Sequence, residues 1–144
     1  MSDTTPLFHR VLLPLASVSD AELTVESVLE HLGTDVEELV VVHVIEKGGG
    51  SIDKAPLERR QRDAADIFEV VESLIAETDI AIETEILYGQ SVTETIFDAA
   101  STHGTTAICF SPREANRLIN LLTGDVAYSL ITESKLPVVV LPKE

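Results

Sequence analysis

RVLLPLASVSDAELTVESVLEHL, residues 10–32, sets a short apolar run against a helical pattern, and that pairing recurs down the chain. VLLPL from Val11 is near-continuously apolar at strand length, the pattern of a strand covered on both faces. The helix that follows is predicted to begin at Ser19, which stands three residues before Glu22 as a capping box requires. Its apolar stripe, Ala21, Val25, Val28, Leu29 and Leu32, faces a sheet, and Gly33 stops it.

Three more apolar runs read as buried strands: LVVVHVI from Leu39, AICF from Ala107 and VVVL from Val138. IAIETEIL from Ile80 alternates, with Ile80, Ile82, Thr84 and Ile86 on one side, so it reads as a more exposed edge strand. A second helix carries Ala64, Ile67, Phe68, Val71, Leu74 and Ile75, and GGGSIDKAP ahead of it reads as the most mobile connection. Ser91 with Glu94 caps a third helix that presents Val92, Ile96, Ala99 and Ala100 and ends near Gly104. A fourth begins near Asp125 and turns Val126, Ala127, Leu130 and Ile131 inward.

Strands alternating with helices imply right-handed crossovers and a five-stranded, mostly parallel, doubly wound α/β sheet with four helices, Rossmann-like, and the order expected for it is 3-2-1-4-5. Ligands in such sheets sit beyond the carboxyl ends of the strands where the winding reverses. Here that crevice lies between strands one and four, bordered by the loops Leu15 to Ser19 and Ser111 to Gly124. A length of 144 residues fits one domain, 1–144, with no internal repeat.

Charge excludes several classes of partner. Ten Lys plus Arg against 25 Asp plus Glu give a net charge of −15, which opposes any grip on nucleic acid or an anionic membrane. This acidity resembles the hydrated carboxylate surfaces of proteins from salt-loving organisms, where salt screens the mutual repulsion. No apolar run reaches the 18 or so residues of a membrane span, and MSDTTPLFHR lacks the features of a secretory signal, so a cytoplasmic protein is expected. The single Cys109 lies among Ala107, Ile108 and Phe110 and is expected to be buried and structural. His9, His31, His43 and His103 show no metal spacing, and His43 is expected to be a hydrogen-bonded core residue. Neither a nucleophile elbow nor a Walker loop is present, so no catalytic residue is assigned and no enzyme activity is expected.

The opening segment RVLLPLASVSDAELTVESVLEHL, then HVIEK, YGQSVTETIFDAA and ESKLPVVVLP, resemble in order the landmarks of the universal stress protein family. That family has the five-stranded fold, commonly dimerises, and divides into members that bind ATP and members that do not. The resemblance places FSPREANRLINLLTGDVAY, residues 110–128, at the nucleotide loop, read in the family as Gly, two residues, Gly, nine residues, then Gly and Ser or Thr. Counted back from Gly124, the first two glycine positions fall on Ser111 and Glu114, and Asp125 takes the hydroxyl position. The nucleoside-contacting Asp of ATP-binding members maps, two residues after Pro14, to Ala16. A backbone contact to adenine maps to Val44.

These substitutions oppose a phosphate. Ser111 and Glu114 carry side chains where glycines would let backbone amides close in. A phosphate about 4 Å from one carboxylate, at an effective dielectric near 20, is repelled by roughly 4 kcal/mol per charge pair. Glu114 and Asp125 are the two acids concerned, and Asp125 is expected to cap the fourth helix and accept the free amides a phosphate would use. Arg113 and Arg117 are expected to pair with these acids at the rim. The resemblance therefore implies a non-catalytic stress-response or regulatory module that binds no ATP and acts through a protein partner the sequence does not identify. The alternative is a nucleotide sensor that retains ATP or AMP through the Val44 backbone, Arg113, Gly124 and the amides of the fourth helix. LPVVVLP, residues 136–142, would be an exposed sticky edge if left bare, and the family dimerises through this strand. A homodimer is expected, with Val138, Val139, Val140 and Leu141 at its interface.

Overall fold

The computed structural model describes residues 5–47, 54–111 and 124–142. Its elements run β1 (Arg10–Pro14), α1 (Val18–His31), a 3-10 turn (Gly33–Asp35), β2 (Glu38–Glu46), α2 (Lys54–Leu74), β3 (Ala81–Gly89), α3 (Val92–Thr102), β4 (Ala107–Phe110), α4 (Gly124–Glu133) and β5 (Val138–Val140). The strands form one sheet in the order β3-β2-β1-β4-β5, every neighbouring pair parallel. Both the five-stranded order and the edge position of β3 are as expected from the sequence.

The two faces of the sheet carry separate cores. Val11, Leu13, Leu39 and Val41 point to one side and meet Val25 and Val28 of α1 and Ile67 and Val71 of α2. Leu12, Val40, Val42 and Ile108 point to the other and meet Ile96 and Ala99 of α3 and Leu130 of α4. Period-two alternation in strands apolar on both sides yields this arrangement, which explains why β1, β2 and β4 are continuous apolar runs. Cys109 is buried in the first core, and desolvation pushes its thiol up to about 12, so it is an unreactive packing residue.

Below the sheet, at the strands' amino ends, Arg10 joins three elements. Its guanidinium pairs with Glu38, donates to Glu83 at 2.8 Å, and through Nε donates to the His103 carbonyl at 2.6 Å. His103 in turn lies 2.7 Å from Glu85. This network ties the end of α3 to the edge strand.

Several boundaries differ from the sequence reading. The N-cap of α1 is Ser17, not Ser19: Ser17 is extended at φ −160° and accepts the Asp20 N–H. Ser19 and Glu22 are exposed on the helix surface, and of the two equal spacings Ser17 to Asp20 wins because it lets Asp20 fold inward. Lys54 to Pro56, assigned to the loop, open α2, with Pro56 in the first turn where a missing N–H loses no helical bond. Ile131 is 52% exposed rather than inward, and Leu141, expected at an interface, is only 2% exposed and packs into its own chain's core. The remaining residues of the GGGSIDKAP loop lie outside the described residues.

Candidate functional site

At the carboxyl ends of β1 and β4 the chain leaves the sheet in opposite directions, α1 to one face and α4 to the other. The β1–α1 loop is held from within. Asp20, fully buried, accepts the Ala16 N–H at 2.8 Å through one carboxylate oxygen and the Thr24 hydroxyl at 3.0 Å through the other. Leu15 donates its N–H to the Val42 carbonyl at 2.9 Å, and its carbonyl lies 2.7 Å from His43 Nδ1. Position 16 therefore offers neither a side-chain carboxylate nor a free amide to the crevice.

The carbonyl partner fixes the His43 tautomer with its proton on Nδ1. Burial, the largest effect, pushes the His43 pKa below its usual 6.5, partly offset by the Leu15 hydrogen bond and the charge of Asp63. Because the folded protein resists a proton that the unfolded chain accepts, stability falls as pH drops below about 6.5 and levels off beneath the folded pKa. His43→Asn, whose amide can donate to the same carbonyl, is expected to flatten that slope between pH 7 and 5. Urea midpoints across this range measure it, and an unchanged slope would assign the pH dependence to other groups.

Val44 lies two residues past Val42 on the β1-facing side of β2, beyond the last β1 residue paired to it, Pro14. Its backbone thus borders the crevice while its side chain is buried in the second core. Ser111 follows β4 directly and is fully buried, its hydroxyl without a hydrogen-bond partner among the described residues. Arg113, Glu114 and Arg117 lie outside the described residues, as does their expected ion-pair group.

A cavity of about 360 Å³ opens beside the crevice, where the amino ends of α3 and α4 converge. Gln90, Ser91, Thr93, Val126 and Ser129 line it together with two acids, Glu46 and Asp125. Among the described residues that line it there is no lysine or arginine. Among the described residues two cations stand near: Arg60 donates to the carbonyl of the lining residue Glu46 at 3.1 Å, and the Lys47 ammonium stands 5.6 Å from the centre of the Tyr88 ring. Gly124 opens α4 and Asp125 is its second residue, so Asp125 is not the cap expected of it. Its exposed carboxylate accepts no hydrogen bond among the described residues and acts on the helix dipole through charge alone. Glu46 and Asp20 were not singled out from sequence. Glu46 ends an apolar strand, and the Ser17–Asp20 spacing was the one available sign of Asp20.

Gly89, at the end of β3, packs closely against α3. A Cβ there would lie 2.0 Å from Thr95 Oγ1, which donates to the Ser91 carbonyl at 2.6 Å. Gly89→Ala is expected to cost about 1–3 kcal/mol by overpacking. Adding Thr95→Ala, which removes the obstructing oxygen, should recover most of it. Thermal melts of the single and double variants test this, and an undiminished single variant would show that the turn is loose.

Among the described residues, no group of His, Cys, Asp and Glu is placed to hold a metal ion, and no helix is long and apolar enough to cross a membrane. The universal stress protein family matches residues 7–142. A universal stress family protein from Burkholderia pseudomallei superposes with a TM-score of 0.74 at 18% identity, covering 96% of this chain and 99% of that one. The Archaeoglobus fulgidus universal stress protein in complex with dAMP gives 0.62 at 19% identity, over 94% and 98% of the two chains. An Arabidopsis thaliana family protein with AMP bound gives 0.68 at 13% identity, over 94% and 92%. No curated protein matches in the corresponding comparison.

Proposed function

This chain belongs to the universal stress protein family, and from that premise we propose that it is a non-catalytic stress-response module whose crevice has been turned away from ATP. One observation carries the reading: Glu46 and Asp125 line the cavity at the amino ends of α3 and α4, with no cation among the described lining residues. A triphosphate there would meet two carboxylates, each worth roughly 4 kcal/mol of repulsion per charge pair at about 4 Å and an effective dielectric near 20. Asp20 removes the Ala16 amide from use, and Ser111 is fully buried. Signalling then rests on partner contacts. Protein prepared from cells and denatured in acid should release no stoichiometric adenine nucleotide on chromatography. Stoichiometric release would overturn the proposal.

A second reading, retention of a nucleoside monophosphate, draws on the related proteins that hold AMP and dAMP and on the Val44 backbone at the crevice. A monophosphate carries less charge toward the two acids. Release of AMP in the same assay would favour it.

The module is proposed to act as a homodimer through β5, an open edge of three residues. Val140 is 46% exposed, whereas Val138 and Val139 are partly packed against the two cores. Val140→Asp, which spares the core, should yield monomer in sedimentation velocity. An unchanged dimer would place the interface elsewhere, and a native monomer would remove it.

A further inference from the structure

A second and larger cavity, of about 570 Å³, lies between α3 and α4 at the ends remote from the crevice, and shares no lining residue with the first. Its volume is that of a small-molecule pocket. Phe97, Ala100, Ile108 and Leu136 give it an apolar lining. The polar groups beside them are already satisfied: the Thr105 hydroxyl donates to the Ala100 carbonyl at 3.1 Å, and the Ser134 hydroxyl donates to the Leu136 carbonyl at 2.8 Å and accepts the Leu136 N–H at 3.0 Å. The donors that remain on the lining are the exposed Ser101 hydroxyl and the Lys135 ammonium.

Charge decides what remains. Glu94, Asp98 and Glu133 lie on the lining against one cation, Lys135. None of the four forms an ion pair among the described residues. An organic anion would meet an excess of carboxylates, and an uncharged apolar molecule would leave them unused. From the apolar lining and the unpaired acids, we propose that this groove binds a small organic ammonium whose aryl or alkyl body lies against Phe97 and Leu136 and whose cation is held by Asp98 and Glu133. The apolar body supplies affinity by displacing water, and the acids supply the preference for positive charge.

The test titrates the full chain, labelled with nitrogen-15, with 4-phenylbutylammonium and separately with 4-phenylbutyrate, which has a similar body and the opposite charge. Saturable amide shifts are expected at Ala100, Thr105 and Leu136 for the ammonium, with the carboxylate at least about tenfold weaker. The variant D98N/E133Q should weaken the ammonium about fivefold. Ser101 is exposed on α3 and lines the groove, so S101Y should block binding without loss of the folded spectrum. Equal affinity for the two probes, binding unaffected by S101Y, or shifts confined to Ser91 and Asp125 would each overturn the proposal.

Discussion

Asp20→Ala is expected to lower the unfolding free energy by about 3 kcal/mol, because it strands two donors at once. Asp20 is fully buried, and its two oxygens accept the Ala16 N–H at 2.8 Å and the Thr24 hydroxyl at 3.0 Å. A buried donor left without a partner costs about 1–3 kcal/mol, and the alanine also vacates the carboxylate's space. Asp20→Asn keeps one acceptor and should lose roughly half as much. Urea denaturation followed by circular dichroism suits a chain without tryptophan. Amide exchange adds a local readout: the Ala16 proton should exchange markedly faster in the alanine variant. A loss under about 1 kcal/mol, or unaltered exchange at Ala16, would mean that the β1–α1 loop is held by other contacts.

The second large effect is a gain. Replacing Ala16 by Asp, Ser111 and Glu114 by Gly, and Asp125 by Ser should raise affinity for Mg-ATP by about 100-fold. Removing two carboxylates relieves repulsion of which even a quarter, about 1 kcal/mol each, counts, and the two glycines readmit backbone amides at dihedrals closed to other residues. About 3 kcal/mol in total is a hundredfold at 1.4 kcal/mol per decade. Ser111→Gly carries little cost in hydrogen bonding, since that hydroxyl has no partner among the described residues. A gain below tenfold would contradict the assignment of these four positions as the cause.

The edge position of β3 was legible because it alternates while β1, β2 and β4 are apolar on both faces, and the capping pair Ser91–Glu94 was equally plain. Two overlapping Ser-x-x-acid spacings misled at α1. Local pattern cannot tell Ser17–Asp20 from Ser19–Glu22, and the choice falls on the pair whose acid finds buried donors in the loop before it. Ile131 satisfies helical spacing yet is 52% exposed, while Leu130 beside it takes the buried position of α4. Ala16, Val44, Ser111 and Asp125 entered through the family resemblance alone, whereas Glu46, at the end of an apolar strand, acquires meaning only when the amino end of α4 is brought across to it. Pairing across a sheet's switch point joins residues far apart in sequence, which no local period encodes.

The central claim, that this family scaffold has lost its hold on ATP, is tested most directly by isothermal titration calorimetry of the native protein with ATP and Mg²⁺, at low and at multimolar salt. Carboxylate repulsion screened by salt would weaken, so both conditions are needed. No saturable heat up to millimolar nucleotide is predicted in either. A stoichiometric isotherm with a micromolar dissociation constant in either condition would contradict the claim.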